Sequence, residues 1–222
     1  PSTSSAASDV YKRQIQGEGG INPASTAYLQ SLRDIADEFN TLLIFDEVQC
    51  GMGRSGKLFA YEIANVAPDI MGLAKGIGGG FPVGAVLATE KAASGMVPGT
   101  HGSTYGGNPL AMAAANAVLD VMLEKDFLAS VLKKGTKLKN DLVSLVEKHS
   151  TVLESVRGVG LMLGIKSVGP NLELMAAFRE NKLLTVVAGE NVVRVLPPLN
   201  VSEEEISEAV QKIDQTCSQV SS

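Results

Sequence analysis

The first clear pattern along the chain is helical. Apolar side chains recur at a spacing of three or four positions, at Tyr28, Leu32, Ile35, Ala36 and Phe39. This spacing predicts an amphipathic helix over residues 25–39, and Ser25 is a suitable N-cap for it. A second helix is predicted from the N-cap Asn108 to about residue 123, and a long amphipathic helix over residues 127–148.

Short apolar runs of the kind that form buried strands follow the first helix. The run over residues 41–45 ends abruptly in Asp46 and Glu47. Such a run favours a strand buried on both faces of a parallel sheet, with its acids at the carboxyl end, where open α/β sheets bind ligands. A second strand over residues 69–74 ends at Lys75, and a glycine-rich turn leads from it to a third strand over residues 83–89.

The remaining elements alternate. Strands are predicted near residues 161–165, 184 and 192–196, and helices near residues 172–179 and from Ser202, where Ser-Glu-Glu-Glu forms a capping-box pattern. This order predicts an α/β architecture, with the end of a doubly wound, mostly parallel domain followed by a smaller α+β domain. We place the first domain at residues 15–125 and the second at residues 126–222.

Composition narrows the classes of partner. Hydrophobic residues make up 45% of the 222-residue chain and charged residues 19%, and the net charge is -5. No block of Lys or Arg is long enough to follow a phosphate backbone, so we expect no nucleic-acid partner. Two cysteines and two histidines fit neither a disulfide framework nor a metal site. No apolar run approaches bilayer length, so a cytoplasmic protein is expected.

The first fourteen residues differ from the rest of the chain. Residues 1–14 are rich in Ser, Thr and Ala and show neither helical nor strand periodicity. We therefore expect a disordered leader that is foreign to the fold.

A glycine-rich segment offers one candidate chemistry. Residues 51–56 match the dinucleotide fingerprint and follow a predicted strand, as in an NAD-dependent oxidoreductase. However, two acids crowd the same strand end, and the next strand begins with Asp69 instead of ending in an acid. These mismatches favour a simple glycine-rich turn. Residues 17–20 and 75–78 lack the Gly-Lys-Ser/Thr ending of a phosphate-binding P-loop.

A second candidate combines side chains from several predicted strand ends and loops, namely Asp46, Gln49, Lys75, Ser103 and Thr104. Singly, these residues are typical of caps, solvated surface and loops. Together they match what pyridoxal 5'-phosphate (PLP) requires. A desolvated lysine forms the Schiff base, a buried carboxylate keeps the pyridine nitrogen protonated, an amide contacts the phenolic oxygen, and hydroxyls hold the phosphate.

Five segments in order resemble the motifs of the class III (ω-amino acid) aminotransferases, a PLP family of fold type I. They are residues 16–20, 45–49, 51–56, 73–76 and 101–109. The resemblance implies that Lys75 holds the cofactor covalently and that Asp46 pairs with the pyridine nitrogen. It implies a cofactor-binding set of Asp46, Glu47, Val48, Gln49, Lys75 and Thr104, and substrate contacts from Ser103, Glu18 and Arg194.

The resemblance also implies a reaction and an assembly. Residues 57–62, 68–71, 78–88 and 193–198 resemble the arginine-biosynthetic branch of the family, which implies transamination between an N-acetylated ω-amino acid and 2-oxoglutarate. Ornithine, succinylornithine, succinyl-diaminopimelate and γ-aminobutyrate are alternative substrates, and a catalytically inactive interaction module is a further alternative. A homodimer with shared active sites is expected. Family members carry a further N-terminal portion, without which we expect an incomplete site and exposed apolar surface.

Overall fold

A computed structural model describes residues 9–12 and 14–220, which divide into two compact units. The first contains residues 9–12, Gln14, Ala24–Met52 and Lys57–Phe127, and the second contains Ile15–Pro23, Gly53–Gly56 and the chain from Leu128 onwards. The two short segments of the second unit lie within the range that the sequence analysis assigned to the first domain. The local sequence pattern does not reveal that a short segment belongs to the other unit, because tertiary contacts decide this.

The strands are β1 (Asp9–Lys12), β2 (Ile15–Gln16), β3 (Asn22–Pro23), β4 (Leu42–Asp46), β5 (Ile70–Leu73), β6 (Ala85–Ala88), β7 (Leu153–Val159), β8 (Met162–Ser167), β9 (Val186–Ala188) and β10 (Val192–Val195). The helices are α1 (Thr26–Glu38), α2 (Tyr61–Ala64), α3 (Glu90–Ala93), α4 (Pro109–Met122), α5 (Phe127–Lys148), α6 (Asn171–Glu180) and α7 (Glu203–Val220). A 3-10 turn spans Lys75–Gly78.

The first unit is built on a four-stranded sheet in the order β1-β4-β5-β6. Strands β1, β4 and β5 are parallel, and β6 is antiparallel to β5. Consecutive parallel strands place their carboxyl ends at one edge of the sheet. In the observed register Asp46 lies opposite Gly72, three residues before Lys75. The predicted mostly parallel α/β class is confirmed.

Helix α1 covers part of this sheet, and its predicted cap is confirmed. The Ser25 hydroxyl accepts a hydrogen bond from the backbone N–H of Tyr28 at 3.2 Å. Leu29 and Ala36 are buried on the strand residues Leu43 and Phe45. The predicted apolar face is therefore partly wrong, because Tyr28, Ile35 and Phe39 remain 43%, 46% and 66% exposed.

The expectation of a featureless leader needs correction for residues 9–12. These residues form β1 and pair in parallel with β4. Next to them, Gln14 is buried and belongs to the first unit. Four residues are too few to display a strand periodicity, and the partner strand supplies the order that the local pattern lacks. Residues 1–8 and residue 13 lie outside the described residues.

The second unit contains an antiparallel sheet in the order β7-β8-β10-β9, together with α5, α6 and α7. The capping box at the start of α7 is confirmed, since the Ser202 hydroxyl accepts from the Glu205 N–H at 3.1 Å and the Ser202 N–H donates to the Glu205 carboxylate at 2.7 Å. The strand predicted near residue 184 is confirmed with a shift of two residues. Leu184 is 86% exposed, and β9 begins two residues later.

Apolar side chains are exposed on two elements of the first unit. Val86 on β6 is 73% exposed, and Leu110 on α4 is 66% exposed. Strand β6 also forms one edge of its sheet. Of the helices among the described residues, none combines the length and the apolar character that crossing a bilayer requires.

Candidate functional site

Asp46 closes β4 at the carboxyl edge of the first sheet. Its side chain is buried, at 7% exposure. One carboxylate oxygen, Oδ1, accepts a hydrogen bond from the backbone N–H of Val48 at 3.0 Å, which fixes the start of the turn after the strand. A buried carboxylate at a strand end is the type of group that can hold a proton on a pyridine nitrogen.

The next residue, Glu47, is more deeply buried, at 1% exposure. Its carboxylate accepts hydrogen bonds from the backbone N–H groups of Ala60 at 2.6 Å and Tyr61 at 2.8 Å, and from the Gln14 amide at 2.8 Å. Burial raises the pKa of Glu47 to about 7, and these three donors act in the opposite direction. These hydrogen bonds hold the Glu47 carboxylate within the protein, and the predicted cofactor contact of this residue stays a prediction.

Val48 and Gln49 continue the turn after β4, and both are half-buried. Cys50 follows them and is buried, and its thiol lies 3.6 Å from the backbone oxygen of Asp46. Gln49 thus leaves the same short turn as Asp46, three residues later. This spacing can place an amide beside a ring that Asp46 contacts at another position.

Lys75 lies at the first position of the 3-10 turn that follows β5. Its backbone adopts a left-handed conformation with φ of 51°, which is costly for a residue with a side chain. The side chain is exposed, so the expected desolvation of its amine is not observed among the described residues. Neighbouring Gly76 permits a close approach, since a Cβ there would lie 3.0 Å from the Cβ of Met52.

Ser103 and Thr104 lie in an exposed loop before α4. The Ser103 carbonyl accepts from the Gly106 N–H at 3.3 Å. Asn108 caps α4, as predicted, by accepting from the Ala111 N–H at 2.9 Å. Because Ser103 and Thr104 are exposed, their hydroxyls are accessible to a ligand or to another polypeptide.

The other two predicted substrate residues, Glu18 and Arg194, belong to the second unit. The Glu18 side chain is exposed, while its carbonyl accepts from the Gly189 N–H at 2.7 Å. Arg194 is half-buried in β10, and its Nε is buried without a hydrogen-bond partner among the described residues. An unsatisfied guanidinium N–H is suited to an anionic ligand, and the roles of both residues stay predictions.

The glycine-rich segment at residues 51–56 forms a turn, as the sequence analysis favoured. Met52, Gly53 and Gly56 all have positive φ, and no helix begins within the segment. Arg54 within it donates to the Pro197 carbonyl at 2.5 Å, and burial lowers the pKa of this guanidinium. A dinucleotide site would require the glycines to open a helix, and this segment does not do so.

Comparisons with known proteins agree with this geometry. The sequence model of the Aminotransferase class-III family matches residues 10–217. The chain belongs to the class III aminotransferase family. The acetylornithine aminotransferase 1 of Bradyrhizobium diazoefficiens is 57% identical over 208 residues, which are 94% of this chain and 51% of that protein. The chain thus spans about half the length of that relative.

Two solved structures give the same picture. The N-acetylornithine aminotransferase of Stenotrophomonas maltophilia matches with a TM-score of 0.86 at 35% identity, over 96% of this chain and 57% of that one. An ornithine aminotransferase of Toxoplasma gondii, described as having partial occupancy of PLP at its active site, matches with a TM-score of 0.89 at 31% identity, over 95% of this chain and 51% of that one. These matches set the dinucleotide alternative aside.

Class III aminotransferases depend on PLP, and the residues of the first unit fit this cofactor. Asp46 offers a buried carboxylate and Lys75 an accessible primary amine, on neighbouring strands that end at one sheet edge. Gln49 adds an amide and Thr104 a hydroxyl. Sequence reasoning missed the bonding of Glu47 to Gln14 and to the residue 60–61 backbone, because no local pattern links residues that are 13 to 33 positions apart.

Proposed function

We propose that this chain supplies the lysine-bearing part of a PLP-dependent aminotransferase that acts on N-acetylornithine and 2-oxoglutarate. The products would be N-acetylglutamate 5-semialdehyde and glutamate, a step of arginine biosynthesis in the cytoplasm. The observation that carries the proposal is the register of β4 and β5, which brings Asp46 and Lys75 to neighbouring strand ends.

The roles of the residues follow from their chemistry. PLP, when bound, supplies a protonated ring that withdraws electrons from the substrate carbon. The Asp46 carboxylate would hold the proton on the pyridine nitrogen, and Gln49 would donate to the phenolic oxygen. Lys75 would hold the cofactor through its Nζ in the resting enzyme. The same Nζ, when it is not bonded to the cofactor, would carry a proton at the reacting carbon.

The remaining predicted residues would bind phosphate and substrate. Thr104 would hold the cofactor phosphate, and Ser103 would contact the substrate. Both lie on an exposed loop, which is consistent with a homodimer in which this loop completes the active site of the partner subunit. Arg194 would bind a substrate carboxylate, and Glu18 would help the site to alternate between its two substrates.

The choice of substrate rests on the relatives. Proteins named acetylornithine aminotransferase share 57% and 56% identity with this chain over 94% and 90% of its length. The ornithine aminotransferases among the solved structures lie lower than these relatives, at 31% to 35%. We therefore favour the N-acetylated substrate over free ornithine.

The test uses a completed enzyme, in which the chain is joined to the part of the Bradyrhizobium diazoefficiens relative that lies outside its match to this chain. With PLP, this enzyme should transaminate N-acetylornithine faster than ornithine in the presence of 2-oxoglutarate. Borohydride should fix the cofactor to Lys75, as peptide mass mapping can show. Attachment at other lysines in place of Lys75, or transamination that persists in Lys75→Ala, would refute the proposal.

A further inference from the structure

The strongest unassigned feature of the first unit is the carboxylate of Glu47. It is 1% exposed, and the hydrogen-bond donors to it among the described residues are two backbone N–H groups and one amide, all neutral. Burying a carboxylate is costly unless its oxygens are satisfied. A buried acid next to Asp46, a predicted catalytic carboxylate, therefore requires an explanation other than packing.

The donors to Glu47 come from separate parts of the chain. Gln14 precedes the first helix, while Ala60 and Tyr61 lie where α2 begins. The backbone N–H of Glu47 donates in addition to the Gly72 carbonyl of β5 at 3.0 Å. One residue thus joins the end of β4 to three other segments.

The turn after β4 closes tightly around this carboxylate. The Gly51 N–H donates to the Glu47 carbonyl at 3.0 Å. A Cβ at position 51 would lie 2.7 Å from that carbonyl oxygen and 2.9 Å from Oε2 of Glu47. The turn therefore has little freedom, and it contains Asp46 at one end and Gln49 in its middle.

We propose that Glu47 is a positioning residue, whose carboxylate accepts three hydrogen bonds and thereby fixes the turn that presents Asp46 and Gln49 to the cofactor. This inference rests on the proposed function. Glu47 itself touches neither cofactor nor substrate. Its effect passes through the backbone that it shares with Asp46 and through the turn that it fills.

The isosteric variant Glu47→Gln isolates this role. Glutamine keeps the shape of the side chain but replaces one acceptor oxygen by an NH2 donor, which must then face an N–H group. A matched control is Glu62→Gln, since Glu62 accepts a single hydrogen bond from the Phe59 N–H at 2.8 Å in the neighbouring turn. Both variants replace a carboxyl group by an amide, and only Glu47→Gln changes the side chain that the Asp46 turn encloses.

The experiment compares these variants in the completed enzyme with bound PLP. For Glu47→Gln we expect the Kd of PLP to rise about tenfold. A change of this size corresponds to the free energy of about one hydrogen bond to a charged group. The visible spectrum of the bound cofactor should titrate with a displaced pH midpoint, because Asp46 and Gln49 shift against the ring. Turnover should fall while the KM for N-acetylornithine stays close to that of the parent, and Glu62→Gln should match the parent in all four quantities.

The outcomes separate the two proposals. A parent enzyme that binds no PLP contradicts the proposed function. If the parent enzyme is active and Glu47→Gln has the same Kd for PLP, the same spectrum and the same turnover, the positioning role is wrong. Lower thermal stability with an unchanged spectrum also overturns it, because a purely structural role predicts that result. If Glu47→Gln gives no soluble protein, the variant Gln14→Ala tests the same proposal, because it removes one donor to Glu47. It should change the Kd of PLP and the pH midpoint of the spectrum in the same direction, by a smaller factor.

Discussion

The backbone N–H of Glu47 donates to the carbonyl oxygen of Gly72 at 3.0 Å. This bond extends the pairing of β4 and β5 one step beyond Asp46, the last residue of β4. The two parallel strands are therefore still paired at the point where β4 ends. Lys75 follows three residues after Gly72 on the neighbouring segment. A carboxylate and an amine from distant positions in the sequence come to the same sheet edge for this reason.

Replacing Asp46 tests the electron-withdrawing role directly. Asp46→Asn keeps the shape of the side chain but removes the charge that would hold a proton on the pyridine nitrogen. In the completed enzyme we expect turnover to fall on the order of 100-fold or more, comparable to the loss of one preorganised electrostatic contact. Steady-state kinetics with N-acetylornithine and 2-oxoglutarate measure this loss.

The control for this substitution is Asp37→Asn, whose side chain is 68% exposed on α1 and pairs with Arg33. It should change turnover by less than twofold, since exposed ion pairs contribute little. Borohydride should still fix PLP to Lys75 in Asp46→Asn. Turnover within a factor of three of the parent would show that Asp46 does not serve the ring nitrogen.

Gly51 offers a backbone test of the same turn. A Cβ at this position would lie 2.7 Å from the Glu47 carbonyl oxygen, so Gly51→Ala must displace the turn. We expect PLP to bind at least tenfold more weakly. The matched control is Gly95→Ala, where an added Cβ would meet nothing within 4 Å. Equilibrium titration with PLP compares the two, and equal Kd values would contradict the close packing around Glu47.

The sequence allowed the main elements of this site to be predicted. The run before Asp46 is continuously apolar, which is typical of a strand in a parallel sheet and is visible without coordinates. In β4, Leu43 and Phe45 are buried, while Leu42 and Ile44 are half-buried. The caps Ser25, Asn108 and Ser202 were likewise readable, since each is a local hydrogen bond between residues three positions apart. Asp46 and Lys75 were placed at strand ends because each follows an apolar run in the sequence.

Features that depend on distant partners were not predictable. Glu47 was grouped with the predicted cofactor residues because it lies between two of them in the sequence, and its donors lie 13, 14 and 33 positions away. The four residues of β1 carry too short a pattern to be recognised before their pairing with β4 is known. The expected burial of Lys75 is a property of what covers the sheet edge, which no pattern within residues 73–76 describes.

The raised pKa of Glu47 predicts how stability depends on pH. Burial raises this pKa from 4.5 to about 7, so the folded protein retains a proton that the unfolded chain has already released between these values. The contribution of Glu47 to stability is complete below pH 4.5, falls as pH rises, and is lost above about pH 7. The full change is about 3 kcal/mol.

Urea denaturation of the completed enzyme without PLP, at a series of pH values, measures this effect. The free energy of unfolding of Glu47→Gln minus that of the parent should rise between pH 5 and 7, because only the parent loses stability through this group. A difference that stays constant with pH would show that Glu47 does not titrate in this range.

Gly135 provides a prediction for the second unit, independent of the cofactor. A Cβ on this residue of α5 would lie 2.4 Å from the carbonyl carbon of Gly160, in the turn between β7 and β8. Backbone cannot give way as a flexible side chain does, so we expect Gly135→Ala to lower the free energy of unfolding by about 2 kcal/mol. That loss would exceed the gain of about 1 kcal/mol that alanine brings to a helix. Gly169→Ala, where a Cβ meets nothing within 4 Å, should leave the urea midpoint nearly unchanged. Because both variants make the same chemical change, a Gly135→Ala protein as stable as the Gly169→Ala protein would contradict the close contact between α5 and this turn.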